Sequence, residues 1–405
     1  MPYDQNNHFR VLIAADTYPP HVNGAAKSCF RLATELTAKG YDVHIVAPHH
    51  TSGADTVEMY PEATVHRIKS LPAPTHEYYR LVMPWHARRA IDRLIGQLEP
   101  DVVHAQCHYM IGEAAINSAE ARRIRLICTN HFMPENLDPF IPGPQFFKNF
   151  VSSRSWYDMG RLMSKANIVT TPTPLSAANM SHKARLEYVV PVSNGIDMAK
   201  YERQEGEYIQ PHEHPTALFV GRLAVEKNVD VLLKALTMTD PELNVHAEII
   251  GDGEQRDYLR DLAVRLGVQD RVVFRGLVTD EELREAYLRA DVFTQPCTAE
   301  LQSLASLEAM SASTPVVLAD ALALPHLVSE GVNGYLFEPY NHHDMAEKMN
   351  LVLGASPEAK AAMGRASHVF AAQHAHEKVI DVVEQMYHGA TSDEVAVTIS
   401  GSKLR

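Results

Sequence analysis

Glu300 and Glu308 stand eight residues apart in the stretch from Gln295 to Met310, whose second half, Ser303 to Ala312, has helical character. Glu308 therefore falls inside a helix of small and apolar residues, where an unpaired carboxylate is costly to bury. Hydroxyl donors would satisfy it, and a ribose diol would serve both of its oxygens. A solvent-facing helix residue is an equally weighted alternative. Glu300, ahead of the helix, is placed to meet phosphates and a sugar. Gly221-Arg222 and Lys227 lie upstream in a strand-to-helix turn, the two cations five residues apart. A planar guanidinium fork and a point-charge ammonium could converge on a diphosphate, and two solvated surface charges would read the same. Gly251-Asp252-Gly253 follows another strand, as a phosphate-approaching turn or an ordinary tight one. Gly24 opens a helix after the first strand, where backbone amides and the helix dipole favour anions, although a simple turn glycine fits too. Among 22 histidines, His131 is set apart by its place at the carboxyl end of a strand, a place that His104 also shares. There is no D-x-D pair placed to chelate a metal diphosphate and no Cys/His metal spacing, so the spacing predicts a metal-independent site.

These residues need strands to end where they stand. Phe9 to Ala15 is a short apolar run, followed by a helical pattern through Ala25, Cys29, Leu32 and Leu36 that stops at Lys39-Gly40, and then by a strand from Asp42 to Ala47. Strand, helix and strand with short connections imply a parallel sheet. Further strands are predicted at 64–68, 101–104, 125–128 and 168–171. After a polar stretch the pattern restarts with strands at 217–220, 248–250, 272–274, 292–293 and 315–318, and helices at 229–236, 281–289 and 303–312. The fold class is α/β, with two doubly wound domains. Ligands of such sheets bind beyond the carboxyl ends of the strands, which ranks the residues above over others of the same type. The predicted division is a first domain over 1–195, a linker over 196–215, a second domain over 216–390 whose last helix packs back on the first, and a frayed polar tail over 391–405.

A chain of 405 residues, 45% hydrophobic and 21% charged, suits two globular domains. The net charge is −13; residues 1–185 carry 19 Lys and Arg against 16 Asp and Glu, and the remainder 18 against 34. Such an acidic chain makes nucleic acid an unfavoured partner. No apolar run is long enough to span a bilayer, the start lacks the pattern of a secretory leader, and four scattered cysteines suit a reducing compartment. The expected location is cytoplasmic.

The combination Tyr18-Pro19-Pro20-x-x-Asn23-Gly24, Asn194-Gly195-Ile196-Asp197, Val220-Gly221-Arg222-Leu223-x-x-Glu226-Lys227, the paired Glu300 and Glu308, and Gly331-Val332-Asn333-Gly334 resembles the retaining glycosyltransferases of family four. The resemblance implies a GT-B fold, two Rossmann-like domains facing a central cleft, and transfer of a hexosyl unit from a UDP- or GDP-sugar to a hydroxyl of a lipid or glycan, with no cofactor. It assigns Gly24, Gly221 and Gly251 to donor binding, Arg222 and Lys227 to the leaving diphosphate, Glu308 to the ribose, Glu300 to the transferred sugar, and His131 to its hydroxymethyl side. Retention implies front-face attack, with the departing phosphate helping to deprotonate the acceptor. Two departures stand out: Gly24-Ala25 replaces a glycine pair, and Leu301-Gln302-Ser303-Leu304 replaces Gly-Phe-Gly-Leu. Backbone amides of Gln302, Ser303 and Leu304 could still bind the donor. The Pro-Pro-x-x-Asn-Gly turn is similar to that of lipid-modifying members. Arg88, Arg89, Arg93, Arg122, Arg123 and Arg125, with the aromatic region from Pro139 to Phe150, could rest on the inner face of a membrane, and charged helix faces are the plainer reading. A sugar-nucleotide epimerase or hydrolase, or a non-catalytic nucleotide-sugar-binding subunit, are the competing functions.

Overall fold

The computed structural model describes residues 9–21, 23–73, 76–134 and 143–400. They form two compact units, one running up to Ser193 and taken up again from Val379, the other from Asn194 to Lys378.

The first unit contains β1 (Arg10–Ala14), α1 (Gly24–Ala38), β2 (Asp42–Pro48), β3 (Thr56–Tyr60), β4 (Ala63–Ile68), β5 (Leu71–Ala73), β6 (His76–Leu81), α2 (Pro84–Leu98), β7 (Val102–Ala105), α3 (Met110–Arg122), β8 (Arg125–Thr129), α4 (Gln145–Met163), β9 (Ile168–Thr171), α5 (Pro174–Ala184) and β10 (Val190–Pro191). Its sheet runs β10-β9-β8-β7-β1-β2-β4-β3. All pairs are parallel except β3 with the expected strand β4; β3 is an exposed edge strand that the apolar-run criterion misses. Strand β1 reads Arg-Val-Leu-Ile-Ala and is buried on both faces: Leu12 and Ala14 pack on one side with Ile91 and Ile116, Val11 and Ile13 on the other with Leu36 and Ile45. That double burial is why these strands are continuous apolar runs rather than alternating ones.

The second unit contains α6 (Met198–Tyr201), β11 (Thr216–Val220), α7 (Val229–Leu236), β12 (His246–Ile250), α8 (Arg256–Arg265), β13 (Val272–Gly276), α9 (Asp280–Arg289), β14 (Val292–Gln295), α10 (Leu304–Ser311), β15 (Val316–Ala319), β16 (Gly334–Phe337), α11 (His342–Leu353) and α12 (Pro357–Ala371). The sheet order β13-β12-β11-β14-β15-β16, all parallel, is that of a doubly wound nucleotide-binding sheet whose order reverses between β11 and β14. The expected linker over 196–215 differs: Ile196 and Tyr201 are apolar anchors in that polar stretch, fully and nearly fully buried in the core of the second unit. Tyr201 meets Tyr287 edge-on at 5.3 Å.

Two helices close the chain, α13 (His376–Tyr387) and α14 (Ser392–Ser400). The tail expected to fray from 391 is instead helical as far as Ser400. Thr391 Oγ1 accepts from the Glu394 amide and the Glu394 carboxylate accepts from the Thr391 amide, a reciprocal cap written in the sequence as Thr-x-x-Glu. Ile380, Val383, Met386, Tyr387 and Val395 enter the core of the first unit. Arg125, one of the arginines that could rest on a membrane, is half-buried and donates to the carbonyls of Met386 and Ala390 at 2.5 and 2.6 Å. Arg122 is likewise held by Asp92. Pro139 and Phe140 lie outside the described residues. No helix among the described residues is long and apolar enough to cross a membrane.

Tyr387 also bonds the buried His104 Nδ1 at 2.7 Å, so Tyr387→Ala removes both a large buried side chain and the partner of a buried ring. The expected loss is about 3–5 kcal/mol of stability in urea unfolding. An unchanged midpoint would show that the C-terminal helix adds nothing to this core.

Candidate active site

In the second unit the strand order reverses between β11 and β14, and the loops leaving these two strands carry the chemistry. The first, 221–228, holds Arg222 and Lys227; the second, 296–303, holds Glu300. Lys227 Nζ is ion-paired to Glu300 Oε1, joining the two loops. Their side chains are 19% and 15% exposed, so the pair is screened from much of the solvent. Burial opposes the charge on Lys227, but the neighbouring Glu300 carboxylate outweighs it and holds the ammonium's pKa above the ordinary lysine value. Burial pushes the Cys297 thiol itself up to about 12, so near neutral pH Glu300 is the working partner.

Backbone and side-chain ties fix both loops. Asn228 is left-handed at φ 51°, and its Nδ2 donates to Glu226 O, Pro296 O and Thr298 Oγ1 at 3.2–3.3 Å, stapling one loop to the other. Beneath them the chain after β12 presses on the chain after β11. A Cβ on Gly251 would lie 1.9 Å from the Gly221 carbonyl oxygen, so glycine is required there by backbone contact alone. Leu223 donates to Asp252 O at 2.9 Å, completing the platform.

Arg222 is ion-paired to Glu226 and lies 3.6 Å from Glu254. Lys227 is paired as well, so both cations meet carboxylates. The segment that replaces the glycine-rich pattern also finds internal partners. Gln302 Oε1 accepts from the Asn194 amide at 2.8 Å, and Ser303 caps α10 by accepting from the Ser306 amide at 3.2 Å. These two side chains are thus directed into the fold, and Leu304 is the first residue of α10. Glu308, on α10, accepts from Tyr287 O–H at 2.9 Å through Oε2.

The first unit has its own switch point, between β1 and β7. Asn23 caps α1, accepting from the Ala26 amide at 2.8 Å, and a Cβ on Gly24 would meet open space. Past β1, Asp16 lies against the start of α3: the Ile111 amide donates to its Oδ1 at 3.4 Å. Burial pushes this carboxyl up to about 6, partly offset by the Cys107 thiol and the Ile111 and Tyr109 amides. Gly112 allows the approach of α3, since a Cβ there would lie 2.2 Å from the Cys107 carbonyl oxygen. Several buried polar atoms with no hydrogen-bond partner among the described residues lie on the residues that follow β1, β7 and β8: Asp16 Oδ2, Gln106 Oε1, both ring nitrogens of His108, Asn130 Nδ2 and His131 Nε2. Burial pushes His108 and His131 down to about 4, which leaves both rings neutral near pH 7. His104, by contrast, is engaged by Tyr387 and Thr129 and belongs to the core. Sequence reasoning missed Asp16, Asn228 and Tyr287. Only Asp16 left a sequence signal, a carboxylate directly past the end of a doubly buried strand.

A model of the family "Glycosyltransferase Family 4" matches residues 22–200, and one of "Glycosyl transferases group 1" matches residues 201–368. The alpha-monoglucosyldiacylglycerol synthase of Streptococcus pneumoniae is 28% identical over 362 residues, covering 86% of this chain and 79% of that protein. A GDP-mannose-dependent alpha-mannosyltransferase of Mycolicibacterium smegmatis is 27% identical over 81% of this chain and 84% of its own length. Among solved structures, sucrose-phosphate synthase from Thermosynechococcus elongatus superposes with a TM-score of 0.78 at 17% identity, over 94% of this chain and 98% of that one. HepE of Anabaena in complex with UDP gives 0.73 at 19%, over 94% and 100%. Both are likenesses of fold, and that fold is GT-B. With the two family models meeting end to end and the two doubly wound sheets in place, this chain belongs to the family 4, group 1 glycosyltransferases and is a glycosyltransferase.

Proposed function

We propose that this enzyme moves a hexosyl unit from a UDP- or GDP-sugar to a hydroxyl of a lipid or glycan, with retention of configuration and with side-chain cations in place of a metal. The observation that carries this reading is the pair of cations on the loop after β11, with Lys227 locked to Glu300 across the switch point. As the glycosidic C–O bond breaks, negative charge grows on the leaving diphosphate. Arg222 and Lys227 are the groups that receive it, the diphosphate displacing Glu226 and Glu254 from Arg222. Glu308 holds the ribose, and Glu300, freed as Lys227 turns to phosphate, meets hydroxyls of the sugar. A departing phosphate oxygen takes the acceptor proton while the acceptor oxygen bonds to C1 on the same face, so no protein base is needed. Gly221 and Gly251 serve the donor by keeping the platform thin. The amides around Gly24 and those of Gln302, Ser303 and Leu304 offer donors to phosphate or sugar. The GDP-mannose dependence in one relative's name and the UDP bound to HepE support the nucleotide sugar as donor, and the diacylglycerol in another's supports the lipid.

On the acceptor side we assign Asp16 and His131. Asp16 Oδ2 and Gln106 Oε1 are acceptors waiting for hydroxyl donors, and neutral His131 suits a sugar hydroxyl better than an imidazolium would. A lipid acceptor would bring the chain to a membrane from the cytoplasmic side, and Phe146, Phe147 and Phe150 on α4 are exposed for that contact.

A donor labelled in the sugar, assayed with candidate acceptors in anionic vesicles and with excess EDTA, tests the reaction and its metal independence together. Labelled glycoside should form and the chain should sediment with the vesicles. Isomerised or hydrolysed donor as the sole product would favour the epimerase or hydrolase reading, and activity that needs added Mn²⁺ would remove the metal-free claim.

Lys227→Met should lower kcat by about 10²–10³ and also destabilise the chain, because Glu300 is left without its cation. Adding Glu300→Gln should recover stability while leaving transfer lost. A double variant as unstable as the single one would mean that the pair does not behave as a unit.

Asp16 gives a pH signature. Its folded pKa, about 6, lies above its ordinary value, so the folded state holds the extra proton. The stability this adds is complete below about pH 4 and disappears as pH rises through about 6. Asp16→Asn should flatten that slope and raise stability at pH 8 by on the order of 1–3 kcal/mol, yet raise KM for the acceptor. An Asp16→Asn variant with unaltered acceptor KM and the parent's pH–stability curve would exclude this role.

A further inference from the structure

The ribose contact assigned to Glu308 depends on how the carboxylate is presented, and the structure holds it from one side. Glu308 sits in the second turn of α10, among Ala305, Ala309 and Ala312, none of which can hydrogen-bond a carboxylate through its side chain. Its partner comes from another helix. Tyr287, near the end of α9, is fully buried and donates its phenolic hydrogen to Oε2 at 2.9 Å. The ring itself has little freedom: Tyr201 packs edge-on at 5.3 Å, Phe293 lies at 6.1 Å, and Thr314 Oγ1 donates to the Tyr287 carbonyl at 2.9 Å.

We propose that Tyr287 is a positioning residue for nucleotide recognition: its hydroxyl occupies one face of the Glu308 carboxylate, so that Oε1 and the remaining lone pair of Oε2 are held in one orientation for the vicinal hydroxyls of a ribose. The inference rests on the assignment of Glu308 to the donor's ribose. A carboxylate has roughly four lone-pair sites, and Tyr287 takes one. A free carboxylate on a helix would rotate about its last torsion and lose entropy on binding; one already bonded to a rigid phenol does not. Burial and the adjacent Glu308 carboxylate drive the tyrosine pKa far above its ordinary value, so the phenol stays protonated and remains a donor at every working pH. The pair therefore selects ribonucleotides over nucleotides that lack the 2′ and 3′ hydroxyls, in either a UDP- or a GDP-sugar.

The test measures binding of UDP and of GDP, each against its 2′,3′-dideoxy form, by calorimetry on the full chain, its Tyr287→Phe variant and its Thr314→Val variant. The parent should prefer the ribose form by on the order of 10–100-fold. In Tyr287→Phe that preference should shrink about tenfold, the donor KM should rise, and kcat should change by less than about threefold. Thr314→Val loosens the same packing but keeps the phenol, and should leave the preference as in the parent. Equal weakening of ribose and dideoxy ligands in Tyr287→Phe, or an unaltered preference, would overturn the proposal while the parent's own preference upheld the donor reading. A parent that binds neither diphosphate, or binds both forms alike, would bring down the ribose assignment and this inference with it.

Discussion

The candidate site of the second unit depends on one half-buried ion pair. Lys227 and Glu300 reach toward each other from the loops that leave β11 and β14, paired parallel strands at the reversal of sheet order, beyond the end of the backbone ladder. Withdrawing two charges from water costs several kcal/mol for each ion, and attraction between them offsets this only when the geometry is fixed. The surrounding structure supplies that fixity. Asn228 accepts a left-handed backbone to staple the loops, and the glycine at 251 lets the neighbouring turn press directly on the chain that carries Arg222.

The same geometry gives the site cations internal partners. Each cation proposed to meet phosphate already has a carboxylate: Glu300 for Lys227, Glu226 and Glu254 for Arg222. A cation left bare in a partly dry site would repel its neighbours and distort the loop. One paired to a carboxylate keeps its position and can exchange one anion for another. Exchange adds little reorganisation, since the arriving phosphate takes over hydrogen bonds that the guanidinium and ammonium were already making.

Much of this was legible in the chain. Strands buried on both faces must be unbroken apolar runs, so the ends of β11, β14 and β8 could be read from the chain, and with them the residues that follow: Arg222 and Lys227 after β11, Glu300 after β14 and His131 after β8. What each residue touches was not legible. The partner of Glu308 comes from the far end of α9, and whether Tyr287 turns toward α10 depends on how two helices cross, which no local pattern encodes. Gln302 stands where the family pattern has phenylalanine, and its side-chain carbonyl reaches the Asn194 amide, a rotamer outcome that sequence cannot give. The last helix was lost for a different reason. Only Val395 and Ala396 of α14 are buried, too few to show a helical stripe, and the capping pair Thr391 and Glu394 was the one local signal available.

The two units answer the same topological situation in opposite ways. Each has a carboxylate in the loop past a central strand, at the point where sheet order reverses. In the second unit that carboxylate has a lysine and the charge is settled. In the first, Asp16 has a helix start and a thiol beside it but no ion-paired cation among the described residues, and burial lifts its pKa to about 6. Folding alone gives no reason to keep an uncompensated carboxyl there, because an amide or an apolar residue would be less costly to bury. On the proposed division of labour the difference follows from what each loop must meet. A diphosphate requires cations, and cations require carboxylate partners until it arrives. A neutral hydroxyl requires only an acceptor with a lone pair left open, which is what Asp16 Oδ2 retains.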